Sequence, residues 1–72
     1  HLAHCHIHDS DLTNDHIEIG TGVGDFDTIM ESFAAVNYTG FFAMEPNPDW
    51  VSPEGIVRGR DLLKEKMRNV QI

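Results

Sequence analysis

Residues 2 to 8, LAHCHIH, set Leu2, His4, His6 and His8 in alternation with Ala3, Cys5 and Ile7. A period of two marks a strand with two unlike faces, one small and apolar, the other carrying imidazoles. From Asp9 to Asp25 the chain turns polar and glycine-rich, DSDLTNDHIEIGTGVGD. A connection of that length is either functional or disordered, and its composition favours function. Ile29, Met30, Phe33 and Val36 then recur at helical spacing. They predict a helix over 27–36, opened by a capping box of Thr28 and Glu31 and punctuated at its end by Gly40. The apolar run Phe41, Phe42, Ala43, Met44 reads as a strand over 41–45, buried on both faces, with Pro46 and Pro48 stopping further pairing.

Ser52, Pro53 and Glu54 combine an N-cap, a first-turn proline and a carboxylate near the positive end of a helix dipole. They predict a second helix over 53–69, with Ile56, Val57, Leu62, Leu63, Met67 and Val70 as its buried stripe. The order is thus strand, loop, helix, strand, loop, helix. Strands separated by a helix are expected to be parallel, so the fold class is α/β with two βα units. A (β/α)₈ barrel of about 250 residues contains eight such units, and this chain has the size of its last quarter. The sequence also opens on His1 in mid-strand rather than on Met, and we read it as a fragment, a single C-terminal segment of a barrel domain.

Composition narrows the partners. Five Lys and Arg against twelve Asp and Glu give a formal net charge of −7. Such a chain is not drawn to nucleic acid or to an anionic membrane unless its cations cluster usefully. They lie between Arg58 and Arg68, where K-E-K-M-R reads as a solvated helix face. The single Cys5 excludes an internal disulfide and suits a reducing compartment as a buried, inert thiol. No apolar run approaches the roughly 20 residues of a membrane span, and no signal peptide is visible, so a cytoplasmic location is expected. Trp50 reads as local packing or an interface residue.

In barrels and open α/β sheets, chemistry sits at the carboxyl ends of the strands. His8 with Asp9, and Glu45, occupy those two ends. His4, His6 and His8 point the same way and form a column facing the barrel axis, while Glu45 sits on a strand about 4.8 Å away. Imidazole and carboxylate together suit a divalent ion of intermediate hardness. The alternative is that these histidines are hydrogen-bonded core residues.

The segments H-I-H-D-S, D-H-I-E-I-G-T-G-V-G-D-F and N-Y-T-G-F-F-A-M-E-P carry a family resemblance. In order and spacing they resemble the last two βα units of the xylose-isomerase-like barrels, from His4 to about Leu63. That group includes sugar and sugar-phosphate isomerases and epimerases, inosose dehydratase-like proteins and the endonuclease IV (AP endonuclease family 2) group. The resemblance implies a metal-dependent isomerase or epimerase acting on a sugar or sugar phosphate, with His6 and Glu45 as ligands of Mn²⁺, Co²⁺, Mg²⁺ or Zn²⁺. It implies that Glu45 also moves a proton, that His8 hydrogen-bonds substrate or supports the site, and that further carboxylate ligands lie upstream. His16 matches a histidine before the I-G-T-G stretch and reads as a loop-ordering or substrate-side residue.

Two departures shape the expectation. Asn14 stands where the nuclease group has an aspartate, with Asp15 one step out of register, which weakens an endonuclease IV-like zinc phosphodiesterase. Leu12 stands where the keto-sugar 3-epimerases have an arginine. The amides of Gly20, Gly22 and Gly24 can face an anion such as a sugar phosphate, with Gly22 as the central donor; alternatively these glycines only permit tight turns with positive φ. The segment alone is expected to be inactive, and to be completed by other barrel segments or by copies of itself through its strand edges. The non-enzyme alternative is a small metal-binding or assembly module.

Overall fold

The alternation of residues 4–7 and the apolar run 41–44 meet as a two-stranded parallel sheet. The structure, a computed structural model, describes residues 4–72. Its elements in chain order are β1 (His4–Ile7), β2 (Asp9–Ser10), β3 (Asp15–Ile17), α1 (Phe26–Ala35), β4 (Phe41–Met44) and α2 (Pro53–Val70). β1 pairs with β4 in parallel, with His4 opposite Phe41, Cys5 opposite Phe42, His6 opposite Ala43 and Ile7 opposite Met44. The expected α/β order is therefore present, with both helices packed on one face of the sheet. Leu2 and Ala3, expected at the start of the first strand, lie outside the described residues. His8 falls just beyond β1.

The connection after β1 is not the open loop its length suggested. β2 and β3 form a short antiparallel hairpin, with Asp9 opposite Ile17 and an irregular register beside it. Asp, Ser and Asn are poor strand formers, so periodicity carries no signal for this pairing. Asp11 holds the hairpin's tip, its Oδ1 accepting the N–H groups of Thr13 at 2.9 Å and Asn14 at 2.7 Å. Those bonds hold the Asp11 carboxyl below its ordinary pKa.

The helix ends differ from expectation in two places. α1 is capped by Asp25, not by a Thr28–Glu31 box. Asp25 Oδ1 accepts the Thr28 N–H at 3.1 Å, and the Thr28 hydroxyl donates to Oδ2 at 2.8 Å. Nor does Gly40 end α1. Asn37 does so in the left-handed region at φ 54°, with the Asn37 and Tyr38 N–H groups closing onto Ala34 and Phe33 carbonyls. That is a Schellman closure with asparagine in the glycine position. α2 begins as expected, Ser52 accepting the Gly55 N–H at 3.0 Å with a proline in the first turn.

The core lies between the sheet and the helices. Ile7, Ile19, Phe26, Met30 and Leu63 are buried, and Cys5, Phe42, Met44, Leu62 and Met67 pack against them. Met30 is wholly inaccessible, a burial that contributes about 1.5–3 kcal/mol. The inward side of α2 differs from the expected stripe, because Ile56 and Val57 are exposed while Gly55 and Gly59 are buried. A Cβ at Gly59 would lie 3.2 Å from Ile19 Cβ and from Met44 Cε. The helix approaches Ile19 and Met44 closely enough there that a side chain would have to displace them by a few tenths of an ångström, and glycine takes the inward position while the branched residues turn out. Lys66 likewise leaves the solvated face expected of it, its Nζ reaching Asp27 on α1 at 2.7 Å.

The other face of the sheet is open. His4 and His6 are exposed, and Phe41, expected to be buried, is 58 % exposed. Among the described residues, no helix is long and apolar enough to cross a membrane.

Candidate functional site

The open face gathers chemistry at the carboxyl ends of β1 and β4. In the parallel register His6 stands beside Ala43, so Glu45, two residues further on, emerges on the same face. The Glu45 N–H donates to the Ile7 carbonyl at 2.9 Å, extending the ladder by one bond and fixing where its side chain departs. Its Oε1 lies 2.5 Å from His6 Nδ1, and both side chains remain partly open to solvent.

His16 enters from the hairpin. Its Nε2 is 3.9 Å from Glu45 Oε2. Its carbonyl accepts the Asn47 N–H at 2.7 Å, tying the hairpin to the turn that follows β4. The backbone of His16 lies at φ 62°, a left-handed conformation uncommon for a residue with a Cβ. The His8 ring stacks on His16 with centroids 4.2 Å apart and planes 19° apart. His4 packs instead against Phe41, 5.9 Å between centroids. The structure thus brings His6, Glu45, His16 and His8 to one rim and leaves His4 apart.

As a metal centre this is a partial set. His6 Nδ1 and Glu45 Oε1 contact each other directly, and an imidazole nitrogen and a carboxylate oxygen are donor types that suit a divalent ion of intermediate hardness. Among the described residues, however, no group of three or more His, Cys, Asp or Glu is arranged to hold one. A zinc site takes four ligands and magnesium six. The residues fit the group as two donors of a larger shell.

A buried carboxylate beside the rim, that of Asp9, was not foreseen from the sequence. Asp9 is 2 % exposed, and its carboxylate is closed in by four backbone N–H groups. Oδ1 accepts from Ser10 at 2.8 Å and Gly24 at 3.0 Å; Oδ2 accepts from Gly20 at 2.9 Å and Gly22 at 3.0 Å. Burial acts to raise its pKa, and the four amide bonds together outweigh that, so the carboxyl is held below its ordinary value. The amide of Gly22, expected to face a bound anion, is therefore taken by the chain's own carboxylate. Nor do the glycines serve turns alone. Gly20 has a positive φ of 96°, but Gly22 is needed because a Cβ there would lie 2.2 Å from the Ser10 carbonyl oxygen. The signal was present as an acidic residue followed by glycines at alternate positions; what it lacked was the identity of the anion.

Beyond the rim, Glu18 is paired with Arg58 through two bonds, Nε to Oε2 at 3.0 Å and Nη2 to Oε1 at 2.7 Å. That pairing lowers the pKa of Glu18. Trp50 is 54 % exposed in the turn before α2. Compared with protein-family models, with curated proteins and with solved structures, the chain matches none of them.

Proposed function

We propose that this chain forms two βα units of a xylose-isomerase-like (β/α)₈ barrel, whose whole form is a metal-dependent isomerase or epimerase of a sugar or sugar phosphate. The observation that carries the reading is the convergence of His6 and Glu45. They meet at the carboxyl ends of adjacent parallel strands, on the sheet face that the helices leave open, which is where a parallel barrel places its chemistry. The exposed Phe41 beside an exposed imidazole column supports it further, since further strands and their side chains would cover that face.

In this reading His6 and Glu45 hold a divalent ion together with donors from outside these residues. When bound, the ion polarises the carbonyl and hydroxyl oxygens of the sugar. Glu45 takes a proton from the carbon beside the carbonyl to give an enediolate. For isomerisation it returns that proton to the former carbonyl carbon while the hydroxyl proton passes between the two oxygens; for epimerisation an acid from outside these residues delivers a proton to the opposite face. Its Oε1 faces His6, which leaves Oε2 on the side of His16 for that transfer. His8 and His16, stacked, form a flat wall that hydrogen-bonds substrate hydroxyls from its edges.

The test is made on the protein that carries this segment. Wild type should bind Mn²⁺ or Co²⁺ in calorimetric titration and incorporate solvent deuterium beside the carbonyl of its sugar, followed by NMR. His6→Ala and Glu45→Ala should each abolish tight binding and turnover without changing the circular dichroism spectrum. Stoichiometric metal and normal turnover in either variant would refute the assignment.

A further inference from the structure

Asp9 is the most deeply buried charge-bearing side chain among the described residues, and the proposed chemistry makes no use of it. Every hydrogen bond that its carboxylate accepts comes from backbone. Its place in the chain is what matters. It follows His8 directly, stands opposite Ile17 in the hairpin, and binds the amides of Gly20, Gly22 and Gly24 from the loop that leads into α1. Its backbone thus pairs with β3 beside His16, while its carboxylate binds the loop that follows β3. We infer that Asp9 is the positioning residue of the imidazole cluster, its enclosed carboxylate fixing the β2–β3 hairpin so that His16 stacks on His8 and faces Glu45.

The chemistry of the enclosure demands aspartate. Four N–H donors converge on two oxygens, so a group that carries a donor of its own cannot replace either oxygen without opposing an amide. Asparagine keeps one oxygen and sets an NH₂ against two N–H groups. Alanine removes both acceptors and leaves the donors unpaired. Glutamate is one methylene too long for a site in which a Cβ at Gly22 would already lie 2.6 Å from Oδ1. The loop is equally committed, because the Val23 N–H also closes onto the Ser10 carbonyl at 2.8 Å.

His16 needs such a device. It sits at φ 62°, a conformation the surroundings must impose. Two ties do so: the Asn47 N–H on its carbonyl from the β4 side, and the pairing of its neighbour Ile17 with Asp9 from the other. The enclosure supports the second tie by drawing Gly20, three residues beyond Ile17, back onto the Asp9 carboxylate; without it that pairing loosens, and His16 is free to leave both the His8 ring and the Glu45 carboxylate. Asp9 therefore acts on the rim through His16, at no point through contact with a substrate or an ion.

Two variants test this in the 72-residue chain. Asp9→Asn breaks the enclosure from the carboxylate side, and Gly22→Ala breaks it from the loop side with Asp9 intact. The readout is the cross-peak between His8 and His16 ring protons in two-dimensional NMR, with the Met30 methyl shift reporting the core. Both variants should lose the cross-peak and keep the Met30 shift. A cross-peak retained in either folded variant would overturn the inference. So would global unfolding of both variants, which would assign Asp9 to overall stability.

A second arm rests on the proposed metal chemistry and uses the protein that carries this segment with its further ligands: Co²⁺ affinity there should fall by about 10–100-fold in Asp9→Asn, as when a supporting residue of a metal site is removed. Wild-type protein that takes no Co²⁺ would defeat the metal reading and leave the ring cross-peak as the measure of Asp9.

Discussion

The two faces of the β1–β4 sheet are cut from alternate residues of the same two strands, yet they do opposite things. Cys5, Ile7, Phe42 and Met44 turn toward α1 and α2 and join a core in which Met30 is wholly inaccessible. His4, His6, Phe41 and Glu45 turn the other way, where rings and carboxylate meet each other and solvent. Stability is concentrated on the first face because apolar area leaves water only there. The second face can therefore carry reactive groups at small cost to the fold. The difference also explains why a chain this short can present four polar side chains on one rim: its core does not depend on them.

Neighbouring substitutions on β1 should separate the faces most sharply. Ile7→Ala removes a side chain that is 5 % exposed and should cost about 2–5 kcal/mol, read as the shift in urea unfolding. That is much of what a domain of this size possesses. His6→Ala, one residue away on the open face, should stay within about 0.5 kcal/mol of wild type. Equal losses in the two variants would mean that the open face is part of the core after all.

A smaller effect is expected from pH. Asp9, Asp11, Glu18 and Asp25 all have pKa values lowered in the folded chain. A lowered folded pKa gives stability that is present above the unfolded value and lost as pH falls through the folded one. Midpoints of thermal unfolding followed by circular dichroism should thus be level above about pH 5 and fall below about pH 4. Asp9→Asn should flatten part of that fall. An unaltered acid limb would show that the enclosed carboxylate has no share in it.

The smallest change belongs to the periphery of both faces. Arg58→Ala removes an exposed, two-bond pair with Glu18. It should lower the midpoint slightly at low ionic strength and by less in about 1 M salt, which weakens the attraction between partly exposed charges. A salt-independent loss would mean that Arg58 contributes packing along α2 rather than charge.

The amino-acid sequence by itself determined what depends on neighbours along the chain. The unlike faces of β1 follow from strict alternation, the start of α2 from Ser52 and Pro53, and the parallel pairing from a helix lying between two strands. Even Glu45 beside His6 was legible, because the end of one apolar run and the alternation of another fix both positions. Only the tertiary structure decided the rest. Gly20, Gly22 and Gly24 reach Asp9 across separations of 11, 13 and 15 residues, and the direction of an N–H depends on loop dihedrals rather than on side-chain identity. The inward turn of Gly59 likewise depends on how closely α2 approaches Ile19 and Met44. Apolar periodicity records which residues avoid water; it does not record how near two backbones come, and that distance set both the glycine positions and the place of His16.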